Sequence, residues 1–260
     1  MKEQIPAKQN LGNRKLISDV IPQGVTGIGD WAYAYCVNLE EIAIPSSVRS
    51  LGRDVFTGCT ALKRVYLYES GVYGEASKTG DTAGLCAGLN AIAVRFFSSP
   101  MEVLISDVNV TACIMKKWDE QCLEFLELPD DTGFSPFLAG GEEDYSEGED
   151  QLTKYRQERQ RSRAYVLFAR LLAAEISELP FERDSRGKMT ELFRCCPGAI
   201  PLLNEIDGHY TEAAGLYYET GLVTAGTLPA VFEFLDPEKV ELRSALINRG
   251  NGGMMNDLEL

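Results

Sequence analysis

Cysteine and histidine are the residues of this sequence that could support nucleophilic, redox or metal chemistry. The 260 residues include seven cysteines and a single histidine, His209. Cys195 and Cys196 are adjacent, which suggests redox chemistry, but they lack the Cys-x-x-Cys spacing that tunes a thiolate. One histidine leaves little material for a Ser-His or Cys-His mechanism or for a histidine-based metal site. We therefore expect structural roles for these three residues, and neither a disulfide framework nor a metal centre.

Acidic side chains and glycine-rich loops are the other candidates for a site. Six acids lie within residues 142–150, but they lack the alternating Asp ligands and central glycine of an EF-hand calcium loop. The glycine-rich segments 71–74 and 250–253 lack the partners of a phosphate-binding loop. Paired carboxylates suited to glycoside chemistry could lie among the 39 acids, and spacing does not locate them. The sequence thus predicts no cofactor, and an enzyme with an acid-rich cleft in or beside the helical domain is the alternative function.

Composition and charge narrow the range of partners. The chain is 45% hydrophobic and 25% charged, which is typical of a globular protein. Its formal net charge of -14 repels phosphate groups, so we expect no nucleic-acid partner. No apolar run approaches the roughly 18 to 20 residues of a membrane helix, and residues 1–20 lack an apolar core of signal-peptide length. We expect a soluble, cytoplasmic protein without membrane insertion.

The elements that would position a site begin with an internal repeat. Residues 21–29 recur as residues 44–52, an offset of 23 residues (Ile21 to Ile44). Later pairs keep this offset: Tyr33 and Phe56, Cys36 and Cys59, Leu39 and Leu62, Ile42 and Val65, and Ile44 and Leu67. A third, degenerate copy is predicted from Cys86, Leu89, Ile92 and Val94. Because one such unit cannot bury its own apolar face, successive units are expected to stack.

The repeated pattern is Ile-Pro-x-x-Val-x-x-Ile-Gly-x-x-Ala-Tyr/Phe-x-x-Cys-x-x-Leu-x-x-Ile, and residues 21–44 and 44–67 carry it. It resembles the BspA-type leucine-rich repeats of bacterial proteins, and we assign residues 14–96 to this resemblance. The resemblance implies a repeat solenoid that acts in adhesion or protein binding. Since we find no export signal, we expect protein binding. The ladder cysteines Cys36, Cys59 and Cys86 are expected to be buried packing residues.

The rest of the sequence predicts a strand cap, a linker and helices. Apolar runs at residues 91–97, 101–105, 108–115 and 122–128 predict extra strands that cover the open end of the repeats. Residues 129–150 indicate an acidic, mobile linker. Helical periodicity then predicts helices over residues 152–179, 182–195, 201–206, 211–220, 224–235 and 236–249, with Gly250 as a C-terminal cap. Between Lys154 and Arg170 lie six cations that we expect to pair with neighbouring acids or to be solvated.

The predicted fold is therefore an α+β protein in two parts. Residues 14–128 form a short BspA-like leucine-rich-repeat solenoid with additional β-strands as its cap, and residues 129–150 form the acidic linker. Residues 151–250 form an all-α helical domain, and residues 251–260 form a tail.

The predicted binding surface is the outer face of the repeat sheet. If Ile42, Ile44 and Val65 face the core, strand alternation turns their neighbours outward. Tyrosine and arginine are among the residue types that most often carry interface energy. We predict a protein–protein interaction module without catalytic activity, which binds an unknown protein partner through Glu41, Arg64, Tyr66, Tyr68 and Arg95. The alternative is that Tyr66 and Tyr68 pack against the additional strands or the helical domain.

Overall fold

A computed structural model describes residues 3–69, 81–106, 112–134, 145–177, 179–181 and 184–256 of the chain. The described residues fall into two compact units. Unit 1 contains the described residues up to Phe125 and residues 179–181. Unit 2 contains the described residues from Leu126 to Ser177 and those from residue 184 onward.

Six short strands form two parallel sheets at the start of unit 1. The strands are β1 (Glu3–Ile5), β2 (Ser18–Val20), β3 (Val25–Ile28), β4 (Glu41–Pro45), β5 (Ser50–Leu51) and β6 (Arg64–Tyr68). One sheet has the order β1-β3-β5 and the other β2-β4-β6. Each consecutive pair of strands is thus one repeat that adds one strand to each sheet. We refer to residues 3–22 as repeat 1, residues 23–45 as repeat 2 and residues 46–69 as repeat 3.

The register of both sheets confirms the predicted repeat length. Glu41 lies opposite Arg64 in one sheet, and Ile5 lies opposite Ile28 in the other. These partners are 23 residues apart, as are the side chains of Trp31 and Asp54, which hydrogen-bond to each other. The predicted repeat region begins at residue 14, so it does not include β1, the first strand of repeat 1.

Backbone hydrogen bonds also join the turns of successive repeats. The N–H groups of repeat 1 donate to carbonyls of repeat 2 in three pairs: Lys8 to Asp30, Asn10 to Ala32, and Gly12 to Ala34. The N–H groups of repeat 2 donate to repeat 3 in the three equivalent pairs: Trp31 to Arg53, Tyr33 to Val55, and Tyr35 to Thr57. Two positions of each turn adopt positive φ to follow this path: Lys8, Trp31 and Asp54 at the first, and Gly12, Tyr35 and Gly58 at the second.

Equivalent side chains stack through the interior of the repeats. The rings of Tyr33 and Phe56 lie 5.5 Å apart between centroids and are nearly parallel, at 17°. Cys36 and Cys59 are fully buried, as predicted. The Cys36 thiol donates to the carbonyl of Asn10 at 3.0 Å, and the Cys59 thiol donates to that of Tyr33 at 3.1 Å. The thiols therefore add one further contact between each pair of repeats.

The segment predicted as a strand cap is helical, so that prediction was wrong. It contains α1 (Asp81–Phe96), a 3-10 turn (Pro100–Glu102) and α2 (Ala112–Glu127). The Cys86-x-x-Leu89-x-x-Ile92 spacing, assigned to a third repeat copy, also fits one face of a helix. α1 packs against β6 and covers it. The buried Asn90 amide donates to the carbonyls of Val65 and Ile105, at 3.1 and 2.8 Å. The end is thus capped, but by a helix.

Unit 2 is helical, as predicted, with five helices and a 3-10 turn (Pro201–Glu205) among its described residues. The helices are α3 (Tyr145–Ser177), α4 (Ser185–Arg194), α5 (Tyr210–Glu219), α6 (Leu228–Phe234) and α7 (Val240–Asn256). Phe168, Phe193 and Tyr217 form its aromatic centre, with ring centroids 5.5 to 6.1 Å apart. The Tyr217 hydroxyl donates to the carbonyl of Ala199 at 2.6 Å, which joins α5 to the turn after α4.

Gly250 does not end the last helix, which corrects the prediction made for it. α7 runs on to Asn256, so most of the predicted tail is helical, while residues 257–260 lie outside the described residues. A Cβ at Gly250 would lie 2.5 Å from the Tyr218 hydroxyl oxygen. The glycine thus allows α7 to pass close to α5.

The predicted linker, residues 129–150, is described only at its two ends. Residues 135–144 lie outside the described residues, and the last six form the first turns of α3, so a linker extending to Asp150 was wrong. Asp130 forms an ion pair with Arg163 at 2.8 Å, and Asp131 forms one with Arg156 at 3.6 Å. These two contacts confirm the expected pairing of acids with the basic stretch of α3.

Gly52→Ala is expected to lower the free energy of unfolding by about 1–3 kcal/mol, because the change overpacks a tight contact between repeats. A Cβ at Gly52 would lie 2.5 Å from the backbone nitrogen of Asp30. Urea denaturation measures the change. The control is Gly88→Ala in α1, where no heavy atom lies within 4 Å of the added carbon and stability should be kept or slightly raised. Equal stability of the two variants would contradict the close approach of the repeats.

Candidate functional site

Glu41 and Arg64 lie where the sequence placed them, on the outer face of the β2-β4-β6 sheet. Ser18, Glu41 and Arg64 form one row across the three strands. The Arg64 and Glu41 side chains form an ion pair at 3.7 Å, and Arg64 is the more exposed of the two. This row is the accessible part of the predicted surface.

Tyr66 and Tyr68 lie on the same face but are buried, so the expected exposure was wrong and the alternative of internal packing describes them. Each retains only 8% of its surface. They pack with Ala43 of β4 and Ala87 of α1 in one apolar cluster. The Tyr68 hydroxyl also donates to the carbonyl of Ile21. Strand alternation predicted the correct sheet face for both tyrosines. Their rings are buried there because they pack against each other, β4 and α1.

Arg95 lies on α1, which corrects its placement on a third strand. Its guanidinium donates to the carbonyl of Leu62 at 3.3 Å and lies 4.7 Å from the centroid of the Phe96 ring. The hydrogen bond holds α1 against repeat 3, and the ring contact lies within α1. The structure therefore brings Glu41 and Arg64 together, whereas Arg95 contacts the Leu62 carbonyl of repeat 3.

Two exposed aromatic side chains project from the turns, and the sequence analysis missed them. Trp31 is 40% exposed and Tyr35 is 50% exposed. Both have positive φ, of 57° and 59°. We call Lys8, Trp31 and Tyr35 the aromatic ridge. A sequence signal was present, because Tyr35 occupies the position that is glycine in the repeats on either side, Gly12 and Gly58.

The aromatic ridge is held in place by the neighbouring repeats. The Trp31 indole N–H donates to the Asp54 carboxylate at 3.1 Å. The Lys8 ammonium lies 5.0 Å from the centroid of the Trp31 ring, in a cation–π contact. The Tyr35 ring lies over Gly58, where a Cβ would come within 2.5 Å of it. Each of the two aromatic side chains is therefore in contact with repeat 3.

The backbone at the aromatic ridge is strained. A residue other than glycine in the left-handed region costs about 1–2 kcal/mol. Bulky aromatic residues are uncommon there, and strain of this kind concentrates at binding and catalytic sites. Tyr35 is also half exposed, so burial recovers only part of that cost.

The thiols and the histidine do not form a chemical site with one another. Burial raises the pKa of the Cys59 thiol to about 12 and also raises that of Cys36. Burial likewise raises the pKa of Cys196, whose thiol donates to the carbonyl of Gln160, while Cys195 is exposed. His209 is exposed at the start of α5. Across the described residues, no three His, Cys, Asp or Glu side chains are grouped to hold a metal ion.

A family model described as "BspA type Leucine rich repeat region (6 copies)" matches residues 5–76. The N-terminal part of the chain thus carries BspA-type leucine-rich repeats. The matched range begins nine residues before the predicted range of 14–96 and ends 20 residues before its end. No curated protein and no solved structure matched the chain. Within the part of the chain that is described, no helix is long and apolar enough to cross a membrane.

Tyr66→Ala is expected to lower the free energy of unfolding by about 2–5 kcal/mol, because it removes a buried aromatic side chain. Arg64→Ala on the same strand should change it by no more than about 1 kcal/mol, because it removes only an exposed ion pair. Urea denaturation of both variants tests this. A Tyr66→Ala effect as small as that of Arg64→Ala would contradict the packing of Tyr66 beneath α1.

Proposed function

We propose that the N-terminal repeats form a short solenoid that binds a protein partner through the aromatic ridge. The observation that carries this proposal is Tyr35, an exposed aromatic residue in a left-handed conformation that repeats 1 and 3 fill with glycine. Its contact with Gly58 covers only part of the ring, and half of the side chain stays exposed. Contact with a partner would give a further reason to retain the ring at this backbone cost.

The chemistry of the aromatic ridge suits a protein interface. Tryptophan and tyrosine are enriched among the residues that contribute most to binding energy. Trp31 and Tyr35 are fixed by Asp54 and Gly58, so they lose little side-chain freedom on binding. Lys8 adds a positive charge beside the Trp31 ring.

The row of Ser18, Glu41 and Arg64 is a second contact surface in this proposal. It contains two residues of the surface predicted from the sequence, Glu41 and Arg64. Tyr66, Tyr68 and Arg95 would support binding indirectly, by holding the sheet and α1 together. The lack of catalytic activity and the cytoplasmic location stay predictions.

Photo-crosslinking in the native host tests the proposal. A benzophenone amino acid at position 35 should yield an adduct of discrete mass with a partner protein, and Trp31→Ala should reduce its yield at least tenfold. The matched control is Ile17→Ala, which shortens another exposed apolar side chain of the repeats and should leave the yield unchanged. Tyr35→Gly should keep the free energy of unfolding within about 1 kcal/mol of the wild type, because glycine relieves the strained backbone.

Two results would contradict the proposal. One is an adduct whose yield is the same in Trp31→Ala and in the wild type. The other is the absence of an adduct at position 35 when the same crosslinker at position 20, on the outer sheet face, gives one.

A further inference from the structure

Repeat 1 has polar side chains at four described interior positions: Gln9, which is exposed where repeats 2 and 3 bury Ala32 and Val55, and three half-buried residues. By the register of the sheets and turns, Asn10 is equivalent to Tyr33 and Phe56, Asn13 to Cys36 and Cys59, and Asp19 to Ile42 and Val65. All six residues at these positions in repeats 2 and 3 are buried. Asn10, Asn13 and Asp19 are only half-buried. The interior pattern therefore changes at repeat 1.

The polar groups of repeat 1 find partners within repeats 1 and 2. The Tyr33 hydroxyl donates to the Asp19 carboxylate at 2.6 Å. The Asp19 carboxylate also accepts from the N–H of Val20 at 2.9 Å, and the Asn13 amide oxygen accepts from that of Lys15 at 3.1 Å. These side chains are therefore built into the repeat.

Three other interior positions of repeat 1 are apolar. Ile5 and Ile21 are buried in the core that the repeats share, and Leu16 packs against it. Repeat 1 is therefore suited to stacking on repeat 2. Its strands β1 and β2 each pair with one other strand among the described residues, and both are edge strands. A free edge of this kind is open to pairing with another chain.

We infer that repeat 1 is a terminal cap, whose polar interior prevents repeat 1 of a second copy of this chain from stacking on β1 and β2. Such stacking would bury the Asp19 carboxylate and the amides of Asn10 and Asn13 on both sides of the contact. Burial of a charge without a new partner is strongly unfavourable, and burial of an amide is unfavourable too. Terminal repeats of stacked arrays require such polar outer faces. α1 covers the opposite end, so the two ends are closed by different means.

A variant that restores the interior pattern tests the cap. It combines Asn10→Phe, Asp19→Ile and Tyr33→Phe, residues that repeats 2 and 3 use at these positions, and Tyr33→Phe removes a hydroxyl that would lose its acceptor. We expect the variant to self-associate with a dissociation constant at least tenfold lower than that of the wild type, by sedimentation velocity over a range of concentrations. Hydrogen exchange at the β2 amides should slow as the concentration rises.

Glu40→Ile is the matched control. It removes one negative charge, as Asp19→Ile does, and adds an isoleucine at an exposed position of repeat 2. We expect it to sediment like the wild type. Association of the control to the same degree as the triple variant would overturn the inference, because general surface hydrophobicity would then explain both.

A smaller change keeps the test decisive if the triple variant does not fold, that is, if its circular dichroism spectrum differs from that of the wild type. The pair Asp19→Ile and Tyr33→Phe removes the buried-charge penalty alone, and it should also associate more tightly than the wild type. A folded variant, triple or double, that sediments as the wild type does would overturn the inference. So would a wild type whose β2 amides are already protected in a concentration-dependent way.

Discussion

Backbone hydrogen bonds between successive repeats are the constraint on which the N-terminal half of the structure depends. Alternate N–H groups of each turn donate to carbonyls of the next repeat, and the parallel strands hold the same register. The chain must therefore return to an equivalent path in every repeat. Two turn positions with positive φ and the glycine contacts at Gly29 and Gly52 follow from this path. The positive φ of Trp31 and Tyr35 has the same origin.

The same constraint makes the outer repeats a problem, because their backbone groups and interior need another cover where no repeat stacks on them. Beyond repeat 3, α1 supplies the cover, and Asn90 gives the β6 edge a side-chain partner at the carbonyl of Val65. In repeat 1, polar residues replace the aromatic, thiol and aliphatic side chains of the interior. Asp19 takes the place of Ile42 and accepts a hydrogen bond from Tyr33. The Trp31 and Tyr35 side chains of the turns and the Glu41–Arg64 row stay accessible between these ends.

The sequence was sufficient to predict the features that depend on apolar spacing. The repeat length, the buried Cys36 and Cys59, and the helices of unit 2 all follow from it. It failed where one spacing fits two structures, as in the Cys86 to Ile92 segment, which suits a strand copy and a helix face alike. Alternation placed Tyr66 and Tyr68 on the correct face but could not show that α1 lies over them. Gly12 and Gly58 indicate a positive φ at the equivalent Tyr35, but the sequence does not show that its ring is exposed. Repeat 1 was recognised only in part, because its polar interior hides the repeat pattern.

Scalar couplings across hydrogen bonds, measured by NMR on the deuterated protein, test the register between repeats most directly. The structure predicts couplings from the amide nitrogen of Tyr33 to the carbonyl carbon of Val55, and from that of Asn10 to that of Ala32. Both would show that the turns of three repeats follow one path. Couplings from Tyr33 or Asn10 to a different carbonyl, or none in a sample whose helical couplings are detected, would contradict the account.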